Sequence, residues 1–254
     1  MTRLFILAAL LFFGSTQTRV LAETPVNPVG LSGELLESVR YGVDPSGILK
    51  VLAEFKESDL AVGLNDDAAK KTFWINIYNA MVQYRLKQDT SEYVNRGKFF
   101  RKRNIVVAGR SLSLDDIEHR MLRRSKVKWS LGYANRWFPS AFEKTFRVEE
   151  LDWRIHFALN CGAMSCPAID YYRQHSINEQ LDNATTLFLM FETEYDSTAN
   201  TFTLPKLFKW FRKDFGGKAG IYSILEKGEY IPEGSKPKLI YKPYDWTLSV
   251  SNFR

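Results

Sequence analysis

Two cysteines and one histidine lie close together near the middle of this chain. Cys161 and Cys166 are five positions apart, and His156 lies five positions before Cys161. A thiolate is a strong nucleophile, and a neutral imidazole can take the proton of a thiol. These three residues therefore predict thiol chemistry, either attack on an acyl carbon or exchange with a disulfide.

Cys166 is the predicted nucleophile because Pro167 follows it. Proline favours the first turn of a helix, and the free amide groups at a helix N-terminus stabilise a thiolate. His156 is the predicted base. The alternative is a Cys161–Cys166 disulfide that only braces the loop between the two residues, with His156 as a hydrogen-bonded structural residue.

The alternation of apolar and polar residues over 151–161 predicts a strand that leads into this loop. Cys161 falls on its apolar face, and Arg154 and His156 fall on the opposite face. Cys161 is accordingly expected to be the less reactive thiol, although it belongs to the predicted catalytic set.

A carboxylate and a second histidine lie on a helix predicted to begin at Ser113. At helical spacing Glu118 falls within an apolar arc, and His119 lies at its flank. A carboxylate on an apolar face must be paired or must have a raised pKa, and Arg154 is the predicted partner. Glu118 is predicted to support catalysis and His119 and Arg154 to bind substrate. A structural ion pair, and an exposed or capping histidine, are the alternatives.

A stripe of amide side chains runs along the helix predicted over residues 68–87. Asn76, Asn79 and Gln83 share one face of it. Buried amides can orient an imidazole or hold an oxyanion, so Asn76 and Asn79 join the candidate catalytic residues. The alternative is that these amides satisfy neighbouring backbone groups.

The remaining patterns predict a helix-rich α+β fold with a small sheet, organised as a single domain over residues 45–250. Residues 23–44 contain several prolines and glycines and are predicted to form an N-terminal arm. Other predicted elements are helices at 49–55, 177–194 and 206–215, a hairpin at 104–112, and strands at 201–204 and 238–241.

The first 22 residues have the pattern of a signal peptide. Arg3 precedes an apolar run over residues 4–13, and Val20 and Ala22 suit cleavage before Glu23. The alternative, a retained anchor, is disfavoured because a membrane span needs about 20 apolar residues. The protein is therefore expected to be exported, to the periplasm or the extracellular space.

Charge and composition limit the partners. The net charge is +6, and the middle third is rich in arginine and lysine. A solvated face is the main interpretation, with weak contact to an anionic membrane surface as the alternative. No nucleic-acid motif, phosphate loop or closed metal-site spacing is present, so neither a cofactor nor a metal is expected. The oligomeric state stays open.

Several motifs occur in the order typical of the domain of unknown function 547 family, which this chain resembles as an exported bacterial member. The motifs are Phe73-Trp74-Ile75-Asn76, Tyr78-Asn79-Ala80, the run 113–119, the run 154–163, Ser165-Cys166-Pro167, Phe208-Lys209-Trp210, Asp214-Phe215 and Tyr244-Asp245-Trp246. The resemblance carries over no established activity. Some animal relatives are fused to a glutaredoxin-like domain, and the order of histidine before cysteine is similar to that of circularly permuted papain-like enzymes.

These patterns lead to one main hypothesis and two alternatives. The main hypothesis is an exported thiol-dependent enzyme that transfers or hydrolyses the acyl group of an amide or thioester, acting on a small molecule or a peptide. The first alternative is a thiol–disulfide redox protein. The second is a non-catalytic binding module with a structural disulfide.

Overall fold

Helices form most of the protein over residues 26–254, the part that the computed structural model describes. The α-helices are α1 (Pro28–Tyr41), α2 (Ser46–Glu54), α3 (Glu57–Gly63), α4 (Asp67–Gln88), α5 (Arg96–Arg101), α6 (Ala141–Phe146), α7 (Ile177–Glu192), α8 (Leu207–Trp210) and α9 (Gly217–Lys227). Short 3-10 helices occur at Thr90–Asn95, Lys128–Ser130, Trp153–Phe157 and Gln174–Ser176, and a π-helix at Asp116–Leu122. Two small sheets complete a single α+β domain, as the sequence predicts.

Helix α4 is the centre of the fold. Its N-terminus is capped by Asp66, whose carboxylate accepts a hydrogen bond from the backbone of Ala69. Phe73, Trp74 and Ile75 are all fully buried, because α4 is apolar around most of its circumference and α1 packs along it. No helix within residues 26–254 is long and apolar enough to cross a membrane.

The two sheets are small and separate. Strands β1 (Ile105–Val107) and β2 (Arg110–Leu112) form the predicted hairpin, and Ala108 and Gly109 both take the positive φ that a tight hairpin turn needs. In the second sheet β4 (Thr201–Leu204) lies between its two partners. It pairs antiparallel with β3 (Glu194–Asp196) and parallel with β5 (Lys238–Tyr241), and α8 and α9 lie in the crossover that the parallel pair requires.

The segment predicted to form an N-terminal arm, residues 23–44, contains α1 over most of its length. Asn27 caps this helix, Pro28 occupies its first turn, and Gly42 closes its C-terminus in the left-handed conformation. The prolines and glycines that indicated a loop are therefore helix boundaries. The predicted signal peptide, residues 1–22, lies outside the described residues.

The segment around His156 differs from the prediction. The predicted strand at 151–161 is instead the 3-10 helix Trp153–Phe157, which Asp152 caps by accepting from the backbone of Arg154. No helix begins after Cys166, since residues 167–173 are irregular. Farther along, the helix predicted to reach residue 215 ends as α8 at Trp210.

Two hydrophobic clusters meet at this 3-10 helix. Ile155 is buried in the cluster around α4, and Phe157 in the cluster around α8 and α9. His156 lies between them and is itself buried. The boundary between the clusters is therefore where polar side chains are brought together.

Candidate functional site

A cavity of about 520 Å³ lies between the two hydrophobic clusters. Its wall is largely aromatic, with Trp210, Phe211 and Trp246 among the residues that form it. Cavities of about 300–1,000 Å³ with apolar walls and a few polar groups are typical of small-molecule sites. The polar groups here belong to Tyr78, Asp115, Glu118, His119, Lys128, His156, Cys161 and Tyr244.

His156 is held by an aspartate that follows α8. Its Nε2 lies 3.0 Å from Oδ2 of Asp214, and its ring stacks on Phe211 at 4.0 Å. Burial raises the pKa of Asp214, but hydrogen bonds from His156 and Arg123 outweigh that effect and lower the pKa overall. Asp214 is therefore ionised and can only accept, so Nε2 of His156 carries a proton.

The other nitrogen of His156 is available as a base. Burial lowers the pKa of His156, although the hydrogen bond to Asp214 opposes this shift, so the ring is neutral near pH 7. With the proton on Nε2, Nδ1 has a free lone pair. Nδ1 makes no hydrogen bond to any described residue, so it is free to accept a proton from a molecule in the cavity.

Arg123 connects this pair to the second histidine. Its side chain is fully buried and donates from Nε to Asp214 at 2.6 Å and from Nη1 to Nδ1 of His119 at 2.9 Å. The sequence interpretation of Arg123 as part of a solvated face is wrong. The π-helix explains the error: the backbone of Arg123 donates to Glu118, five residues back, so helical phase computed at α-helical spacing fails here.

His119 is a neutral donor at the edge of the cavity. A guanidinium can only donate, so Nδ1 of His119 accepts from Arg123 and the ring proton lies on Nε2. Burial first, and then the charge of Arg123, lower the pKa of His119 to about 3. Nε2 is buried and has no hydrogen-bond partner among the described residues. A substrate oxygen is the kind of group that would satisfy it.

Glu118 reaches the cavity without its predicted partner. Its Oε2 is 3.5 Å from the hydroxyl of Tyr78, and its Oε1 is 3.5 Å from Nδ1 of His119. The predicted Glu118–Arg154 pair is wrong.

Arg154 binds Asp152 and Asp182 instead, both at 2.7 Å. The 3-10 helix turns its side chain back toward its own N-cap, whereas a strand would have projected it beside His156. Arg154 does not line the cavity, so its predicted role in substrate binding has no support in this arrangement.

The two cysteines are free thiols, so the alternative of a Cys161–Cys166 disulfide is wrong. Their sulfurs are 2.6 Å apart, whereas the sulfurs of a disulfide are about 2.05 Å apart. The hydroxyl of Tyr244 bridges them, at 3.3 Å from Cys161 and 3.2 Å from Cys166. We refer to these three residues as the thiol cluster.

The pKa values of the two thiols shift in opposite directions. Burial raises the pKa of Cys166, but hydrogen bonds from the Cys161 thiol, the Tyr244 hydroxyl and two backbone amides lower it overall. One of these amides, that of Cys161, is 3.0 Å from the Cys166 sulfur. The pKa of Cys161 is raised, first by its hydrogen bond to Cys166 and then by burial. Loop hydrogen bonds, rather than a helix N-terminus, are therefore the cause of the lowered pKa of Cys166.

The thiol that reaches the cavity is Cys161. It is half-buried and forms part of the cavity wall, whereas Cys166 is 6% exposed and is absent from that wall. Cys166 borders a smaller apolar pocket of about 260 Å³. The sulfur that faces the cavity is therefore that of Cys161, and the sulfur with the lowered pKa, that of Cys166, lies behind it.

The amide stripe of α4 binds backbone and does not face the cavity. Asn76 donates to the carbonyl of Tyr172 at 3.0 Å and accepts from its amide at 3.2 Å. Asn79 donates to the carbonyl of Ala158 and accepts from the amide of Asn160, both at 2.9 Å. Neither side chain lines the cavity, so both are placed to position the backbone around it rather than to hold an oxyanion within it.

Asn160 continues this support into the cysteine loop. Its Oδ1 accepts from the amide of Gly162 at 2.8 Å, and its Nδ2 donates to the carbonyl of Pro167 at 2.8 Å. The loop between Cys161 and Cys166 is thus fixed to α4 through Asn79 and Asn160. This chain of amides explains why the two sulfurs face each other.

Sequence reasoning missed Asp214 and Tyr244 as site residues. Both occur in motifs that carried the family resemblance, but no spacing rule connects either of them to His156 or Cys161. Only their shared presence in recurrent motifs could have indicated a role. Among residues 26–254, no group of three or more His, Cys, Asp or Glu side chains is arranged to hold a metal ion.

Comparison with known proteins identifies a family. The model of the family described as "Protein of unknown function, DUF547" matches residues 62–189, about half of the chain. The matched region includes Glu118, His119, His156 and both cysteines, and Asp214 and Tyr244 follow it. No curated protein and no solved structure matches the chain.

Proposed function

Since this chain belongs to the DUF547 family, whose description names no activity, we propose a function from the site itself: a thiol-dependent enzyme that transfers or hydrolyses the acyl group of an amide or thioester. One observation carries the proposal. Cys161 lines the same cavity as His156, whose position and tautomer are determined by Asp214. A nucleophile and a base oriented by a third group are the parts that acyl transfer requires.

In the first half-reaction Cys161 is the nucleophile. Its sulfur attacks the carbonyl carbon and forms the carbon–sulfur bond, while its proton passes to the Cys166 thiolate 2.6 Å away. As the carbon–nitrogen or carbon–sulfur bond of the substrate breaks, the hydroxyl of Tyr244, which lines the cavity, gives its proton to the departing amine or thiol and takes the proton of Cys166, 3.2 Å away. Cys161 then carries the acyl group as a thioester, and Cys166 is again a thiolate.

In the second half-reaction His156 is the base. A water molecule or an acceptor amine attacks the thioester, and its proton moves to the free Nδ1 of His156. Asp214 stabilises the resulting imidazolium through Nε2. When the carbon–sulfur bond breaks, this proton passes to the sulfur of Cys161, which restores the starting state.

His119 is the donor proposed for the oxyanion that forms in both steps, because its Nε2 proton has no partner among the described residues. The hydroxyl of Tyr244 is engaged with the two sulfurs. The pKa of Tyr244 is raised, chiefly by burial and then by the neighbouring cysteines, so the hydroxyl stays protonated. Removing one such donor typically costs about 10²–10³ in kcat.

Trapping of an acyl-enzyme with p-nitrophenyl acetate tests this proposal. The protein should release one equivalent of p-nitrophenol in a burst, and peptide mapping should find one acetyl group on Cys161. Cys161→Ser should abolish the burst, and His156→Gln should keep acetylation but slow deacylation. Unchanged acetylation of the same peptide in Cys161→Ser would overturn the assignment of the nucleophile.

Thiol–disulfide exchange is the second candidate, favoured by the contact between the two sulfurs. Cys161 would attack a substrate disulfide, and Cys166 would attack the mixed disulfide, so the substrate is reduced to two thiols and the cysteine pair is oxidised. In Cys166→Ser a mixed disulfide with 2-hydroxyethyl disulfide should then accumulate on Cys161. If neither p-nitrophenyl acetate nor 2-hydroxyethyl disulfide reacts at Cys161, the remaining candidate is a non-catalytic binding module.

Export is part of the proposal and rests on the sequence of residues 1–22 alone. We expect the mature chain of this exported bacterial member to begin at Glu23 or within a few residues of it. N-terminal sequencing of protein taken from the periplasm or medium tests this. An intact Met1 on such protein would contradict it.

A further inference from the structure

A short segment next to the cavity exposes an unusual number of large apolar side chains. In residues 129–138, which we call the aromatic segment, the adjacent Trp137 and Phe138 are each 88% exposed. Trp129, Leu131 and Tyr133 are also exposed. Single exposed apolar residues are common, but a contiguous group of this kind marks an interaction surface.

Cations predominate around the aromatic segment. Residues 119–142 contain no aspartate or glutamate. Lys128 pairs with Asp115 at 2.7 Å and Arg136 lies 3.7 Å from Glu143, whereas Arg124, which is exposed, and the half-buried Lys126 make no salt bridge with a described residue. The surface therefore combines apolar side chains with an excess of cations.

The aromatic segment is held in place by its own backbone. The amide of Val127 donates to the carbonyl of Ala134 at 3.0 Å, and that of Arg136 donates to Ser125 at 2.8 Å. Lys213 donates from its amide to the carbonyl of Leu131 at 3.0 Å. Because both ends of the loop are anchored, its apolar side chains are presented outward and cannot simply fold onto the core.

We propose that the aromatic segment is a docking site for an anionic lipid surface. Tryptophan, tyrosine and phenylalanine favour the boundary between lipid headgroups and acyl chains, and arginine and lysine beside them bind the negative headgroups. The core of a protein–protein interface is depleted in charge, and lysine in particular is depleted there. The cations among these exposed rings therefore favour lipid over a protein partner.

The docking site and the cavity share residues. Trp129 and Leu131 belong to the aromatic segment and also line the cavity that contains Cys161. Docking would therefore place the mouth of the cavity at the membrane surface, where a lipid-linked acyl group could enter it. This consequence for the substrate rests on the proposed function, whereas docking itself does not.

Vesicle co-sedimentation tests the docking. Vesicles of phosphatidylcholine with phosphatidylglycerol should bind the wild-type protein, those of phosphatidylcholine alone should bind it weakly, and high salt should reduce binding. The double variant Trp137→Ser/Phe138→Ser should bind at least about tenfold more weakly, because it removes the apolar contact. Phe191→Ser on α7, a 75% exposed position, is the matched control and should bind like wild type. An identical N-terminus in every variant keeps the contribution of residues 1–25 constant.

Two outcomes would overturn the docking proposal. One is equal binding of wild type and the double variant. The other is a wild-type dimer in sedimentation velocity that becomes monomeric in the double variant, which would make the segment a self-association surface. Cys161→Ser should bind vesicles like wild type, so failure of the acyl-transfer proposal and failure of the docking proposal are separate results.

Discussion

Two polar clusters each contribute side chains to the wall of the same cavity, and they are built in opposite ways. The buried charge network, formed by His119, Arg123, Asp214 and His156, joins residues that lie up to 91 positions apart in sequence. The thiol cluster is formed by two cysteines of one short loop and Tyr244. Long-range charged contacts determine where protons reside on the histidines, whereas the local thiol contact shifts the pKa values of the two sulfurs in opposite directions.

The two clusters should therefore respond differently to mutation. Arg123 and Asp214 have fully buried side chains, and each is the charged partner of the other. Removing one leaves the other charged and buried, which is strongly destabilising. Cys161 and Cys166 form no salt bridge and are hydrogen-bonded to each other and to Tyr244, so changes there should affect reactivity more than stability.

Asp214→Ala should give the largest effect on the fold. We expect a loss of about 3–5 kcal/mol in the free energy of unfolding, because Arg123 remains buried without its carboxylate. Urea denaturation measures this loss. Asp182→Ala, which removes a 67% exposed partner of Arg154, is the control and should cost less than about 1 kcal/mol. Equal losses would mean that the charge network does not stabilise the fold.

Asn79→Ala should give the next largest effect, and it connects stability to the thiol cluster. It leaves the carbonyl of Ala158 and the amide of Asn160 without their partners, at a cost of about 1–3 kcal/mol. Because Asn160 holds the cysteine loop, the rate of thiol alkylation should change as well. Asn183→Ala, at an exposed position of α7, should alter neither quantity. Lower stability with an unchanged alkylation rate would show that the conformation of the cysteine loop does not depend on its contact with Asn79 of α4.

Acidification should weaken the fold through His119. Its pKa is about 3 in the folded protein, chiefly because of burial, and about 6.5 in the unfolded chain. As pH falls below about 6.5 the unfolded state binds a proton and the folded state does not. The contribution of His119 to the free energy of unfolding is therefore fully present above that pH. About 1.4 kcal/mol of it should be lost by about pH 5.5.

The pH dependence is measured by urea denaturation at several pH values. His119→Gln should reduce the slope between about pH 6.5 and 5, and His175→Gln, at an exposed position, should leave it unchanged. The pKa of His156 is also lowered, so a residual slope should remain in His119→Gln. A His119→Gln variant with the slope of wild type would show that His119 is accessible to protons in the folded state.

Long periodic elements were predictable from the sequence, and short ones were not. Helix α4 and the β1–β2 hairpin were predicted because an apolar run of many turns and a two-residue turn are both local signals. The 3-10 helix Trp153–Phe157 was predicted as a strand, because alternation over so few residues does not distinguish the two. The π-helix Asp116–Leu122 has a different period from an α-helix, so α-helical spacing does not predict which of its side chains are buried.

The candidate site was predictable in its residue types and not in its partners. His156, Cys161 and Cys166 were predicted as site residues because they occur within eleven residues of sequence. Asp214 lies 58 positions after His156, and nothing local indicates that contact. Which cysteine faces the cavity depends on how Asn79 and Asn160 hold the loop. Sequence periodicity reports local secondary structure and does not predict side-chain contacts between distant segments.

The most direct test of the account is iodoacetamide labelling of the protein as a function of pH, with the labelled cysteine identified by peptide mapping. We predict that the label appears on Cys161, which lines the cavity. The plot of its labelling rate against pH should show an inflection that reports ionisation of the cysteine pair, and this inflection should be absent in Cys166→Ser. That inflection should lie below the usual pKa of a thiol, because hydrogen bonds lower the pKa of Cys166. Labelling of Cys166 in preference, at the same rate in wild type and in Cys161→Ser, would contradict the assignment of Cys161 as the nucleophile.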